Sequence, residues 1–127
     1  MDRSHLRVLI VDDEPGYRDM YVYLMEPRGI TVDSAANGVE ALEKVKKMSY
    51  DLIFMDIHMP VMGGPEAVRL IREIRPDQKI YIFSSSSDPT CSQEERALTY
   101  GANECLYKPV ELDVLERILG QAANGSA

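Results

Sequence analysis

The chain has 127 residues, 45% of them hydrophobic and 28% charged, and a formal net charge of -7, the balance of one soluble globular domain of ordinary size. Such an acidic surplus argues against direct nucleic-acid binding, which relies on clustered Lys and Arg, and no apolar run approaches the roughly 20 residues of a membrane span. Cys91 and Cys105 are too few for a disulfide framework and lack metal-ligand spacing, and the polar residues 1–5 ahead of a short apolar run do not form a signal peptide, so a cytoplasmic protein with free thiols and no membrane partner is expected.

In chain order, residues 6–11 (LRVLIV) form an unbroken apolar run of strand length, the pattern of a strand covered on both faces. Asp12-Asp13-Glu14-Pro15 follows, so three acids stand at the carboxyl end of that strand, and Pro15 suits the first turn of a helix. Tyr17, Met20, Tyr21 and Leu24 recur at helical spacing, and the helix is expected to stop near Pro27-Arg28-Gly29. Residues 30–35 (ITVDSA) alternate as a second strand, and Asn37-Gly38 turns the chain into a helix whose apolar stripe, Val39, Leu42, Val45 and Met48, is assigned to the core.

A second unbroken run, Leu52, Ile53, Phe54 and Met55, delivers Asp56 where the pattern breaks into a loop with Pro60 and Gly63-Gly64. In open α/β sheets ligands bind at the carboxyl edge, which makes Asp56 a site candidate. Ala67, Leu70, Ile71 and Ile74 mark a third helix ending before Pro76. Residues 79–83 form a fourth strand that runs into the serines at 84–87, and Ser92 with Glu95 has the spacing of a capping box for a short helix stopped by Gly101. Residues 104–107 form the last strand, Lys108-Pro109 follows, and Leu112, Leu115, Ile118 and Leu119 set the final helix. Residues 121–127 are small and polar and read as a frayed tail, a linker stub or an expression remnant.

Five strand patterns thus alternate with five helix patterns through short connections. That alternation predicts an α/β fold with right-handed crossovers: a five-stranded doubly wound parallel sheet of flavodoxin-like order 2-1-3-4-5, with helices on both faces. On such a sheet Asp12, Asp13, Asp56, Ser84 and Lys108 all reach one edge. Carboxylates gathered together repel one another unless a cation sits among them, and an oxygen-only ligand set suits Mg2+. A carboxylate in that setting can attack phosphorus, with Lys108 as a point charge and the Ser84 hydroxyl as a donor to the phosphoryl oxygens.

The segments VDDEP, FMDIHMPVMGG, IFSSS and GANECLYKP, in that order and at strand ends, resemble the CheY-like response-regulator receiver domain of two-component signal transduction over residues 5–120. The resemblance implies Asp12 and Asp13 as metal acids, Asp56 as phosphoacceptor and metal ligand, and the backbone carbonyl of His58 as a further ligand. Ser84 is then the switch hydroxyl and Lys108 the phosphate-binding lysine, joined to Pro109 by a cis peptide. The implied function is a phosphorelay switch with Mg2+-dependent self-phosphorylation and autodephosphorylation. It would take its phosphoryl group from a histidine kinase or a histidine phosphotransfer protein and present an altered face, roughly residues 84–120, to a downstream effector protein. One departure is Cys105, which stands where many receivers carry an aromatic residue. Tyr107 shares its strand face and is expected to pack partly buried. Two rival readings are an aspartyl-nucleophile phosphatase on a similar fold, with His58 at the place of its second acid, and a receiver-like interaction module that is never phosphorylated.

Overall fold

The computed structural model describes residues 6–57, 59, 61–85, 101–108 and 111–123, the side chains of Ser85 and Lys108 excepted. The apolar runs become strands β1 (Arg7–Val11), β2 (Thr31–Ala35), β3 (Leu52–Asp56), β4 (Ile80–Ser85) and β5 (Glu104–Lys108). Every pairing is parallel, and the order is β2-β1-β3-β4-β5, as expected. The crossovers described are the helices α1 (Pro15–Met25), α2 (Gly38–Lys47) and α3 (Gly64–Ile74), and a further helix, α4 (Leu112–Ala123), follows β5. The helix expected over 92–100 lies outside the described residues, as do His58, Pro60 and Pro109. Helix α4 continues to Ala123, three residues into the segment expected as a tail.

Strand alternation divides the core in two. On one face Leu9, Val11, Ile53, Met55 and Ile82 meet Ala41 and Val45 of α2 and Ala67, Val68 and Ile71 of α3. On the other, Val8, Ile10, Phe54, Phe83 and Leu106 meet Tyr21 and Met25 of α1 and Leu115, Ile118 and Leu119 of α4. Strand β3 is buried at all five positions, because it lies at the centre of the sheet and is covered on both faces.

Local chemistry accounts for the helix ends. The Asn37 side chain accepts a hydrogen bond from the Glu40 N–H at 2.9 Å and caps α2. Helix α1 tightens into a 3-10 turn, Glu26–Arg28, that Gly29 terminates in the left-handed conformation at φ 82°. Two stripes differ from expectation. In α2 the buried residues are Gly38, Ala41 and Val45, whereas Val39 and Met48 are 37% and 36% exposed. At roughly 100° per residue Val39 stands about 200° around the helix from the buried Ala41, and Met48 is the extended residue just past the helix end. In α4, Leu112 stands at the first turn and is half exposed.

The amino ends of β4 and β5 are tied by polar contacts. The Arg72 guanidinium donates to the carbonyls of Pro76, Gln78 and Gly101, and burial lowers its pKa. Asn103 exchanges two 2.7 Å hydrogen bonds with the Ile80 backbone, one through its side chain. Among the described residues no helix is long and apolar enough to cross a membrane.

Candidate functional site

The register of the sheet brings the acids together. Val11 is paired with Met55, so Asp12, the next residue along, stands level with Asp56 at the end of β3. The Asp12 N–H donates to the Ala35 carbonyl at 3.1 Å, and its carboxylate accepts the Glu14 N–H at 2.9 Å, which holds the side chain in place as the chain turns into α1. Asp12 and Asp56 are buried and Asp13 is exposed at the rim. Carboxylate oxygens of Asp12, Asp13 and Asp56 all lie within 4.8 Å of one another. Three hard oxygen donors at that spacing fit a divalent cation such as Mg2+, and the two buried ones could lose little water on binding it.

Asp56 is held from three sides. The Ile57 N–H donates to the Phe83 carbonyl at 2.9 Å, extending the β3–β4 ladder one residue past Asp56. The Gly64 N–H donates to the Ile57 carbonyl, also at 2.9 Å. A Cβ at Gly64 would lie 2.8 Å from the Asp56 carbonyl oxygen and 2.8 Å from Ile57 Cα, so only glycine lets α3 begin this close to the acid. Beneath, the rings of Phe54, Phe83 and Tyr21 stack with centroids 5.4 and 4.9 Å apart.

Ser84 directly follows Phe83, the residue level with Asp56, and is fully buried. Lys108 closes β5 opposite Ser85, which brings its backbone to the same edge. Asp12, Asp13, Asp56, Ser84 and the backbone of Lys108 therefore all occupy one edge. The proposed carbonyl ligand of His58 and the cis Lys108-Pro109 bond fall outside the described residues.

Tyr107 departs from expectation. It stands opposite Ser84 but is 56% exposed, not packed. Among the described residues, the core on that face of β5 takes in Cys105, which is partly buried against it, and not Tyr107.

Two contributors had weak signals in the sequence. The Arg18 guanidinium donates to the Asp12 carbonyl; an arginine in the first turn of a helix, where the dipole disfavours cations, was the available sign. Gly64 was visible only as half of a glycine pair.

Comparison with known proteins agrees with this geometry. The family model of the response regulator receiver domain matches residues 8–119. The chain is 38% identical over 116 residues to the sensor protein EvgS of Escherichia coli (strain K12), an alignment that covers 91% of this chain and 10% of that protein. It therefore spans about a tenth of the length of that curated relative. Among solved structures, chemotaxis protein CheY4 of Vibrio cholerae superposes with a TM-score of 0.82 at 31% identity, covering 92% of this chain and 98% of that one. The response regulator protein TrrA of Thermotoga maritima, in complex with Mg(2+)-BeF, gives 0.80 at 32% identity over 92% and 98% of the two chains. With a family match over nearly its whole length and these neighbours, the chain belongs to the response regulator receiver domain family.

Proposed function

We propose that Asp56 accepts a phosphoryl group from a phosphohistidine of a histidine kinase or histidine phosphotransfer protein, and that the modified domain, residues 5–120, acts on a downstream effector in the cytoplasm. The observation that carries this reading is the meeting of Asp12, Asp13 and Asp56 within 4.8 Å at the carboxyl edge of the sheet. An Asp56 carboxylate oxygen attacks phosphorus as the P–N bond breaks. The bonding pair leaves with the imidazole nitrogen, and an acyl phosphate remains on Asp56.

Asp12, Asp13 and Asp56 would hold Mg2+, which when bound neutralises charge on the phosphoryl oxygens; the Mg(2+)-BeF complex of the related TrrA supports that choice. The buried Ser84 hydroxyl donates to one phosphoryl oxygen and Lys108 pairs with another. Burial of Asp56 limits the approach of water, and attack of a water molecule on phosphorus returns the free carboxylate. The added charge biases the segment that carries Ser84, which is the switching step. The effector then meets the surface of β5 and α4, where Tyr107 and Leu112 already expose apolar area.

Incubation with Mg2+ and acetyl phosphate should add one phosphoryl group by intact mass, and the Asp56→Asn protein should gain none. Equal incorporation in that variant would overturn the assignment. Chelation of Mg2+ should stop incorporation, and Ser84→Ala should accept the group yet lose the accompanying change in backbone amide shifts.

A further inference from the structure

Helix α1 begins at Pro15, which places Arg18 in its first turn. That end of a helix carries partial positive charge and favours acids, and a cation there works against the dipole. No acid occupies that turn to offset it. Arg18 is nevertheless partly buried, and its guanidinium donates to the main-chain carbonyl of Asp12.

The choice of acceptor matters. A guanidinium paired with the Asp12 carboxylate would occupy a ligand oxygen and would have to leave before a cation could bind. One anchored on the carbonyl takes no carboxylate oxygen itself, and it holds a unit of positive charge beside a buried acid of the cluster. Its influence on an arriving cation then acts through space.

Building on the metal-site reading above, we propose that Arg18 is a resident counter-charge that sets the divalent-cation affinity of this site. Without the ion it offsets the mutual repulsion of Asp12, Asp13 and Asp56. With the ion bound it stays in place and opposes the added charge, so affinity is held below what the three acids alone would give. Over a separation of several ångström and in a partly solvated setting, one unit charge acting on a divalent ion shifts affinity by about threefold to tenfold at low ionic strength.

The test is a Mg2+ titration of the full chain, followed by backbone amide shifts near Asp12, Asp13 and Asp56 in low salt and again in high salt. Arg18→Gln, which keeps a donor but removes the charge, should bind Mg2+ about threefold to tenfold more tightly than the unaltered chain, and the gap should close in high salt. Arg18→Lys should stay within about twofold of the unaltered chain by the same Coulomb argument. Equal or weaker binding by Arg18→Gln overturns the inference, as does an Arg18→Lys protein that behaves like Arg18→Gln. If the unaltered chain shows no saturable shift at the acids, the metal site itself fails and this inference falls with it. A saturable shift with no gain in Arg18→Gln removes the counter-charge alone. Thermal melts of the metal-free proteins verify that each variant is folded.

Discussion

Replacing Gly64 by alanine tests whether the start of α3 sets the position of Asp56. The new Cβ would sit 2.8 Å from the Asp56 carbonyl oxygen, 2.8 Å from Ile57 Cα and 3.2 Å from the Ile57 carbonyl oxygen, all main-chain atoms that no rotamer change can move. Restoring an ordinary contact of about 3.5 Å requires the helix to retreat by roughly 0.7 Å. That retreat stretches the 2.9 Å hydrogen bond from Gly64 to Ile57 to the edge of usefulness. Overpacking costs about 1–3 kcal/mol and the weakened hydrogen bond about 1 more, against a gain of at most about 1 from replacing glycine in a helix. The expected net loss is about 1–3 kcal/mol, read as a lower urea midpoint at unchanged slope. Any part of the clash taken up by the Asp56 carbonyl displaces Asp56 with it, so the initial rate of phosphoryl incorporation should fall by about tenfold or more. Gly16→Ala is the matched control: its Cβ would meet nothing within 4 Å, and it lies in an exposed first turn, so stability should hold or rise by up to about 1 kcal/mol. The reasoning is refuted if Gly64→Ala keeps the stability and incorporation rate of the unaltered chain.

Val61 holds φ at 70° while 81% exposed, a conformation that costs a β-branched residue about 1–2 kcal/mol with no packing in return. Val61→Asn should therefore raise the unfolding free energy by about 1 kcal/mol in urea melts, and a loss of stability would refute the strain. The Tyr50 hydroxyl donates to the Asp33 carboxylate at 2.7 Å, and burial first, then that hydrogen bond, raise its pKa far above the ordinary 10.0. A folded-state pKa above the unfolded one means that the contribution is whole below pH 10 and is lost as pH rises from there toward the folded value. Between pH 10 and 11 the unaltered chain should thus lose up to about 1.4 kcal/mol more stability than Tyr50→Phe, and parallel pH profiles would contradict the assignment.

Much of the architecture could be read from residue order because each strand is an apolar run closed by a polar residue. Asp12, Asp56 and Ser84 each come where such a run ends, so a parallel sheet delivers them to one edge once the strand order is known. Features that depend on helical phase were harder. Val39, Leu42, Val45 and Met48 resemble one stripe because each step is three residues, yet the inward face is set by Ala41 and Val45, Val39 stands away from it, and Met48 lies just past the helix end. Tyr107 differs from its expected burial for a different reason. Strand alternation fixes the face on which a side chain stands, but not how far along that face the core extends, and among the described residues the core there includes Cys105 and not Tyr107. The approach of Gly64 to Asp56 and the seating of Arg18 on the Asp12 carbonyl have only weak signs in the sequence, since both are distances between separate elements.

The support around Asp56 also indicates where a response to phosphorylation can appear. Strand β3 is buried at every position, paired on both sides, laddered to β4 beyond the acid and pressed by the first residue of α3. The stacked rings of Phe54, Phe83 and Tyr21 fill the space below. A close-packed interior resists small continuous shifts, so charge placed on Asp56 cannot be relieved by moving Asp56 itself. Relief must come from groups that approach the phosphoryl oxygens. Ser84, the last residue but one of β4, has a single neighbouring strand on the side away from β3, and that strand, β5, is the edge of the sheet, joined along one side only. A displacement of the Ser84 segment therefore meets its lowest resistance toward β5, where Tyr107, opposite Ser84 and more than half exposed, can change its environment without opening the core.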